Sequence, residues 1–162
     1  MGALATYRVQ ASLAGAANKV MLGVMNPAGS NVVIRITRFS IYIPNSSGTT
    51  VVVSWEARMA TALAGGTAQT PTKADSNDAA SAASCVTGAT TITPTDPSQP
   101  LVETVVVQTN AFQAPDACRF DLARYPEEKP VVLHPGEGFY LKQIESNTST
   151  HKVGIVYTEE RP

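Results

Sequence analysis

Charge is scarce in this chain. Only 15% of its 162 residues are Asp, Glu, Lys or Arg, against roughly 25% in an ordinary soluble domain. The twelve basic and thirteen acidic residues leave a net charge of −1. They are scattered, and no basic stripe runs along the sequence. A linear phosphate-binding footprint is therefore missing, and no nucleic-acid partner is expected. Histidine is scarcer still. His134 and His151 are the two present, and neither belongs to an H-x-H or H-x-x-x-H pair, so a histidine metal set lacks ligands. The two cysteines, Cys85 and Cys118, stand in separate segments. They form no metal knuckle and read as two free, partly buried thiols, although spacing does not exclude a disulfide between neighbouring strands.

Other signals are missing too. No apolar run approaches the length of a membrane span, so no membrane partner is expected. The start "MGALATYRVQASLAG" has no basic region followed by a long apolar stretch, so it does not read as a secretory signal. No G-x-S-x-G elbow gives the serines a nucleophile context. No phosphate-cradling or dinucleotide glycine pattern occurs. The carboxylates of "KADSND" (Lys73–Asp78) lack the central Gly and terminal Glu of a calcium loop. The expectation is a chain that is not an enzyme, with no cofactor and no metal.

What is present is period two. In Thr50–Ala60, residues Val51, Val53, Trp55, Ala57 and Met59 share one face, with Glu56 and Arg58 on the other. That is a half-buried strand. Asn31–Ile43 is longer. Val32, Ile34 and Ile36 keep one phase, then Phe39, Ile41 and Ile43 take the other. A phase flip inside one strand predicts a bulge, or a bend where a strand turns a corner between two sheets. Further strands are expected over Leu4–Leu13, Lys19–Met25, Ser84–Ile92, Glu103–Thr109, Lys129–Leu133, Phe139–Glu145 and His151–Glu159. About nine short strands with turn signals between them predict a sandwich or barrel.

Between these strands lie two unusual stretches. Thr61–Ser84 is small, polar and rich in Ala, Thr and Gly, and too long for an ordinary connection. It is either a mobile surface loop or an ordered arm on a neighbouring subunit, with a short helical turn near Asp78. Thr93–Pro100 is proline-rich. In "HPGEGFYLK", Pro135-Gly136 is turn chemistry, with Gly taking the positive φ of a type II turn. A metal-binding cupin would also carry such a turn, but the ligand count favours a plain hairpin.

Four segments together carry a resemblance: "NPAGSNVVIRITRFSIYI", "VSWEARMATALAGGTAQTPTKADSNDAASA", "VVLHPGEGFYLKQ" and "VGIVYTEE". They resemble a group of β-sandwich proteins found in the structural gene clusters of tailed bacteriophages. The resemblance implies an all-β, jelly-roll-like antiparallel sandwich: one domain over residues 1–162, with residues 61–84 as an extended loop or arm. It implies a structural virion protein of the capsid-decoration (cement) type, made in the host cytoplasm and sitting on the capsid surface. Its partners would be the major capsid protein and itself, as a homotrimer. The alternative is a tail or head-fibre jelly roll that binds a host glycan or receptor, against which the aromatic content of 6% counts. On composition, contacts are expected at the N-terminus, the arm and the Pro94–Pro100 loop. The candidates are Ala64, Gly65, Gly66, Thr70, Pro71, Asp75, Asp78 and Pro97. Removing Gly65–Ala80 is expected to weaken capsid binding and spare the fold. Arg35, Glu56 and Arg58 are expected on one sandwich face, as an interface or facing solvent.

Overall fold

The computed structural model describes residues 4–43, 51–108, 119–122 and 130–161. Thirteen strands account for the regular structure: β1 (Ala5–Ala14), β2 (Val20–Met25), β3 (Val33–Tyr42), β4 (Val51–Ala64), β5 (Thr67–Gln69), β6 (Thr72–Lys73), β7 (Ser84–Thr87), β8 (Thr91–Pro94), β9 (Val102–Gln108), β10 (Arg119–Asp121), β11 (Val131–Leu133), β12 (Gly138–Gln143) and β13 (Thr150–Glu160). There is no helix among the described residues. The first sheet runs β10–β3–β13–β1–β6, with β11 also on β3. The second runs β5–β7–β2–β12–β4–β8, with β9 also on β4. With β5–β8 and β10 set aside, the two sheets read β1–β13–β3–β11 and β2–β12–β4–β9. The chain changes sheet at most connections, which is the winding of a jelly roll.

Alternation along each strand fills the space between the sheets. Tyr7 and Val9 from β1, Ile155 and Tyr157 from β13, and Val53, Trp55 and Ala57 from β4 are all buried. Each large apolar side chain so buried contributes about 1.5–3 kcal/mol. The phase flip in β3 has a specific cause. Val156 pairs with Arg38 and Tyr157 with Ile36, so Thr37 has no partner residue. Thr37 is a bulge. Its Oγ1 donates to Val156 O at 3.1 Å, and its carbonyl accepts from Leu122 N at 3.0 Å. The extra residue lets Ile34, Ile36, Phe39 and Ile41 all face the core. The corner expected as the other reading is not made. β3 stays beside β13 throughout, and only its other neighbour changes, from β11 to β10.

Three further expectations need correction. Ser84–Ile92 is two strands, not one. Gly88 adopts φ +62° and divides them. β7 then lies beside β2 and β8 beside β4, so the connection crosses the outer face of the second sheet. Ala89 from that connection joins Val20, Ala60, Leu63 and Tyr140 in a small cluster there.

The "HPGEG" turn has the predicted chemistry. Gly136 has φ +89°, and Glu137 N donates to His134 O at 2.9 Å. It is not a hairpin, because β11 belongs to the first sheet and β12 to the second. Buried Asn26 holds this corner. Its Nδ2 donates to Val32 O and Leu133 O, each at 3.0 Å, and its Oδ1 accepts from Ser30 Oγ at 2.7 Å.

Arg35, Glu56 and Arg58 do not share a face either. Arg35 is on the first sheet, ion-paired with Glu160 at 2.7 Å, and the 2.7 Å Arg58–Glu56 pair is on the second.

Candidate functional site

The Thr61–Ser84 stretch is neither a free loop nor an arm reaching away from the domain. β4 continues to Ala64. Gly65 and Gly66, at φ +74° and +82°, turn the chain into β5. Thr70 and Pro71 then carry it from β5, at the edge of the second sheet, to β6, at the edge of the first. The expected helical turn is instead a tight turn, with Asp78 N donating to Asp75 O at 3.1 Å and Asn77 N to Asp75 Oδ1 at 2.9 Å.

Beyond that turn a clamp closes the segment onto its own chain. Glu159 is fully buried. Its Oε1 accepts from Ser81 Oγ at 2.6 Å and from Ala82 N at 2.8 Å. Tyr7 Oη donates to Ala79 O at 2.9 Å, and Arg161 Nη2 to Ala80 O at 2.8 Å. Removing Gly65–Ala80 would delete two strands and part of this clamp, so the expectation that it spares the fold is withdrawn.

The expected contact residues fall in three places. Ala64, Gly65 and Gly66 are exposed at the β4–β5 turn; Thr70, Pro71, Asp75 and Asp78 follow the crossing to the first sheet. Pro97 is exposed in the β8–β9 loop, where its carbonyl lies 3.4 Å from Arg58 Nη1. His134 N donates to Glu137 Oε2 at 2.8 Å, so that carboxylate caps its own turn. Among the described residues, no three His, Cys, Asp or Glu side chains converge on a metal position. Cys85 is a free, buried thiol, pushed up to about 12 chiefly by that burial. Cys118 lies outside the described residues.

The most organised surface is one that composition did not indicate. Outward residues of the first sheet line a recess of about 880 Å³. The register lays out its floor in rows. One row reads Arg8–Val156–Arg38–Asp121 across β1, β13, β3 and β10. The next reads Gln10–Gly154–Ser40–Arg119, and the third Ser12–Lys152–Tyr42. Gly154 is the centre of the middle row. A Cβ there would stand 3.0 Å from Ser40 Oγ and 3.5 Å from Gln10 Cγ, so a larger residue would push into the recess.

Five cations line this space, one from each of five strands: Lys73, Arg8, Lys152, Arg38 and Arg119. No carboxylate among the described residues lines it. Asp121 stands beside it, 3.3 Å from Arg119 and 3.8 Å from Arg38, and one carboxylate between two guanidiniums leaves positive charge in excess. With its amide turned to suit both groups, Gln10 accepts from the Arg8 guanidinium. The sequence has no basic stripe because the five residues are far apart along it. The fold gathers them.

The second sheet presents a different surface. Val52 on β4 and Val105 and Val107 on β9 are about half exposed. Val52 pairs directly with Val107, so these side chains form one apolar strip at the β9 edge. Comparison of the chain with protein-family models, with curated proteins and with solved structures gives no match.

Proposed function

We propose that this chain is a structural protein of the capsid-decoration type. It attaches to the lattice of a major capsid protein on the virion surface and stabilises the shell by surface complementarity, not by catalysis. The observation that carries this reading is the outer face of the first sheet, where five cations surround a recess whose floor is rigid antiparallel strand. A fixed charged face on a stiff scaffold binds without an ordering cost in its backbone. The apolar strip of Val52, Val105 and Val107 supports self-association, here a homotrimer, because β9 offers that strip next to a strand edge. The resemblance of the sequence segments to phage virion proteins points the same way.

The test is co-sedimentation of the purified protein with undecorated capsids, with light scattering to give its mass. Saturable binding by a trimer supports the proposal. A protein that never co-sediments with shells refutes it. One observation favours a second reading, a fibre module for an acidic host glycan: Gln10, Ser12, Ser40 and Tyr42 place amide and hydroxyl groups among the cations. A glycan-array signal from a protein without shell affinity would select that reading.

A further inference from the structure

We infer that the recess over Gly154 docks an extended acidic segment of a partner protein, with carboxylates at alternate positions. The inference rests on the reading of the chain as a lattice-binding protein and names the chemistry of what it binds.

The argument is geometric. An extended strand presents side chains to one side every second residue, roughly 6.6 Å apart. The rows of the first sheet repeat at that same interval, because they are alternate residues of its own strands. A peptide lying along β13 therefore meets the rows in step. Its first facing side chain lies over Arg8 and Arg38. The third, four residues later and roughly 13 Å away, lies over Lys152. The second drops toward Gly154, where the floor has no side chain and Arg119 flanks the space. Each of the three rows thus carries at least one cation, Arg119 standing on the strand beyond Ser40 in the middle row. Gln10 and Ser40, on either side of Gly154, supply an amide and a hydroxyl to the peptide backbone. Among the described residues the charged groups of the lining are all basic, and the one carboxylate at its rim, Asp121, is held between Arg38 and Arg119.

Other polyanions fit this surface less well. Single-stranded nucleic acid is held by several aromatic platforms on which bases stack. The outward rows offer a single ring, Tyr42, at one end. Sugar faces need the same platforms. A carboxylate needs only a guanidinium or ammonium, and those are what the recess concentrates.

The experiment measures fluorescence anisotropy of a labelled octapeptide of alternating glutamate and serine on the full chain at low salt. The matched glutamine–serine peptide is the control. Three variants accompany it. Gly154→Gln fills the recess and leaves every charge in place. Arg8→Gln with Lys152→Gln removes a cation from each end and leaves the recess open. Gly154→Ala is the milder filling variant, to be used if the glutamine variant does not fold.

Binding of the glutamate peptide alone is expected, weakening as salt is raised. The double variant is expected to lose about tenfold in affinity, the sum of two partly exposed ion pairs. The glutamine filling variant is expected to lose a similar factor by shape alone, and the alanine variant less. Equal binding by parent and variants places the site elsewhere and overturns the inference. So does a heparin-derived oligosaccharide or a single-stranded DNA oligomer that displaces the peptide and binds more tightly. Co-sedimentation separates this failure from that of the functional reading. Variants that still bind shells overturn the recess and leave the lattice reading standing. A parent that binds the peptide but no shell does the reverse.

Discussion

Acidification should loosen this fold through one imidazole. His151 is fully buried on β13, its ring centroid 5.4 Å from that of Trp55. Its Nε2 lies 3.0 Å from Asn147 Oδ1. That oxygen also accepts from Ser149 N at 2.9 Å, which fixes the end of the amide that faces the ring. Nε2 therefore carries the hydrogen. Nδ1 is buried without a partner, and protonation would place a donor there with nothing to accept it. Burial, with the Lys19 cation as second cause, pushes the pKa down to about 4, from about 6.5 in an unfolded chain. Between those values the unfolded chain binds the proton and the folded one does not. Stability is thus complete above about pH 6.5 and falls as pH drops toward 4. The loss amounts to about 2 kcal/mol between pH 7 and pH 5, and about 3 kcal/mol by pH 4.

The assay is urea unfolding of the parent and of His151→Gln across that range, followed by the fluorescence of the single Trp55. The variant has a cost of its own at neutral pH, but glutamine does not titrate. Carboxylates that protonate on the way down act on both proteins and cancel in the difference. The stability gap between parent and variant should therefore shrink by about 2 kcal/mol from pH 7 to pH 5. A gap that stays constant would show that His151 is not what acid attacks.

Three other outcomes follow from the contacts described. Glu159→Ala strips the buried acceptor from Ser81 and Ala82; it should cost about 2–3 kcal/mol and raise hydrogen exchange over Asp78–Ala83, and unchanged protection there would mean the clamp does not hold that segment. Asn26→Ala leaves the carbonyls of Val32 and Leu133 without the amide that bonds both and should lower stability in urea by about 2–4 kcal/mol; a loss under about 0.5 kcal/mol would mean water replaces the amide freely. Cys85, buried and with its thiol pushed up to about 12, should react with a thiol reagent only as fast as the protein opens; mass spectrometry that finds rapid labelling of Cys85 in the native protein would contradict its burial.

The strands were legible because burial on one face writes itself into every second residue. Val53, Trp55 and Ala57 against Glu56 and Arg58 is such a pattern, and the slip of phase between Ile36 and Phe39 bracketed the irregularity, although it left a bulge and a bend equally open. What failed was anything that required knowing where a chain goes next. Pro135-Gly136 specifies a turn locally, but whether its flanks pair with each other or join different sheets depends on Asn26, more than a hundred residues away. Gly88 in a run of small polar residues gave no sign that Ser84–Ile92 divides. The Ala-rich segment looked loose because its anchors are Tyr7 and Glu159, on the first and last strands, and Arg161 just beyond the last. The cations around the recess were invisible for the same reason: five separate strands contribute one each, and only register brings them together.

The position of the last strand has a consequence for synthesis. β13 lies between β1 and β3, at the middle of the first sheet. Until β13 is made, the partners of β1 and β3 among the described residues are the two-residue strand β6 for β1 and the short strands β10 and β11 for β3. A growing chain therefore waits with long unsatisfied edges, the species that nascent-chain chaperones capture and that aggregates when they are overwhelmed. Closure then comes all at once, when eleven residues slide between two strands already made. Pairing across so much sequence is slow, on the millisecond-to-second scale.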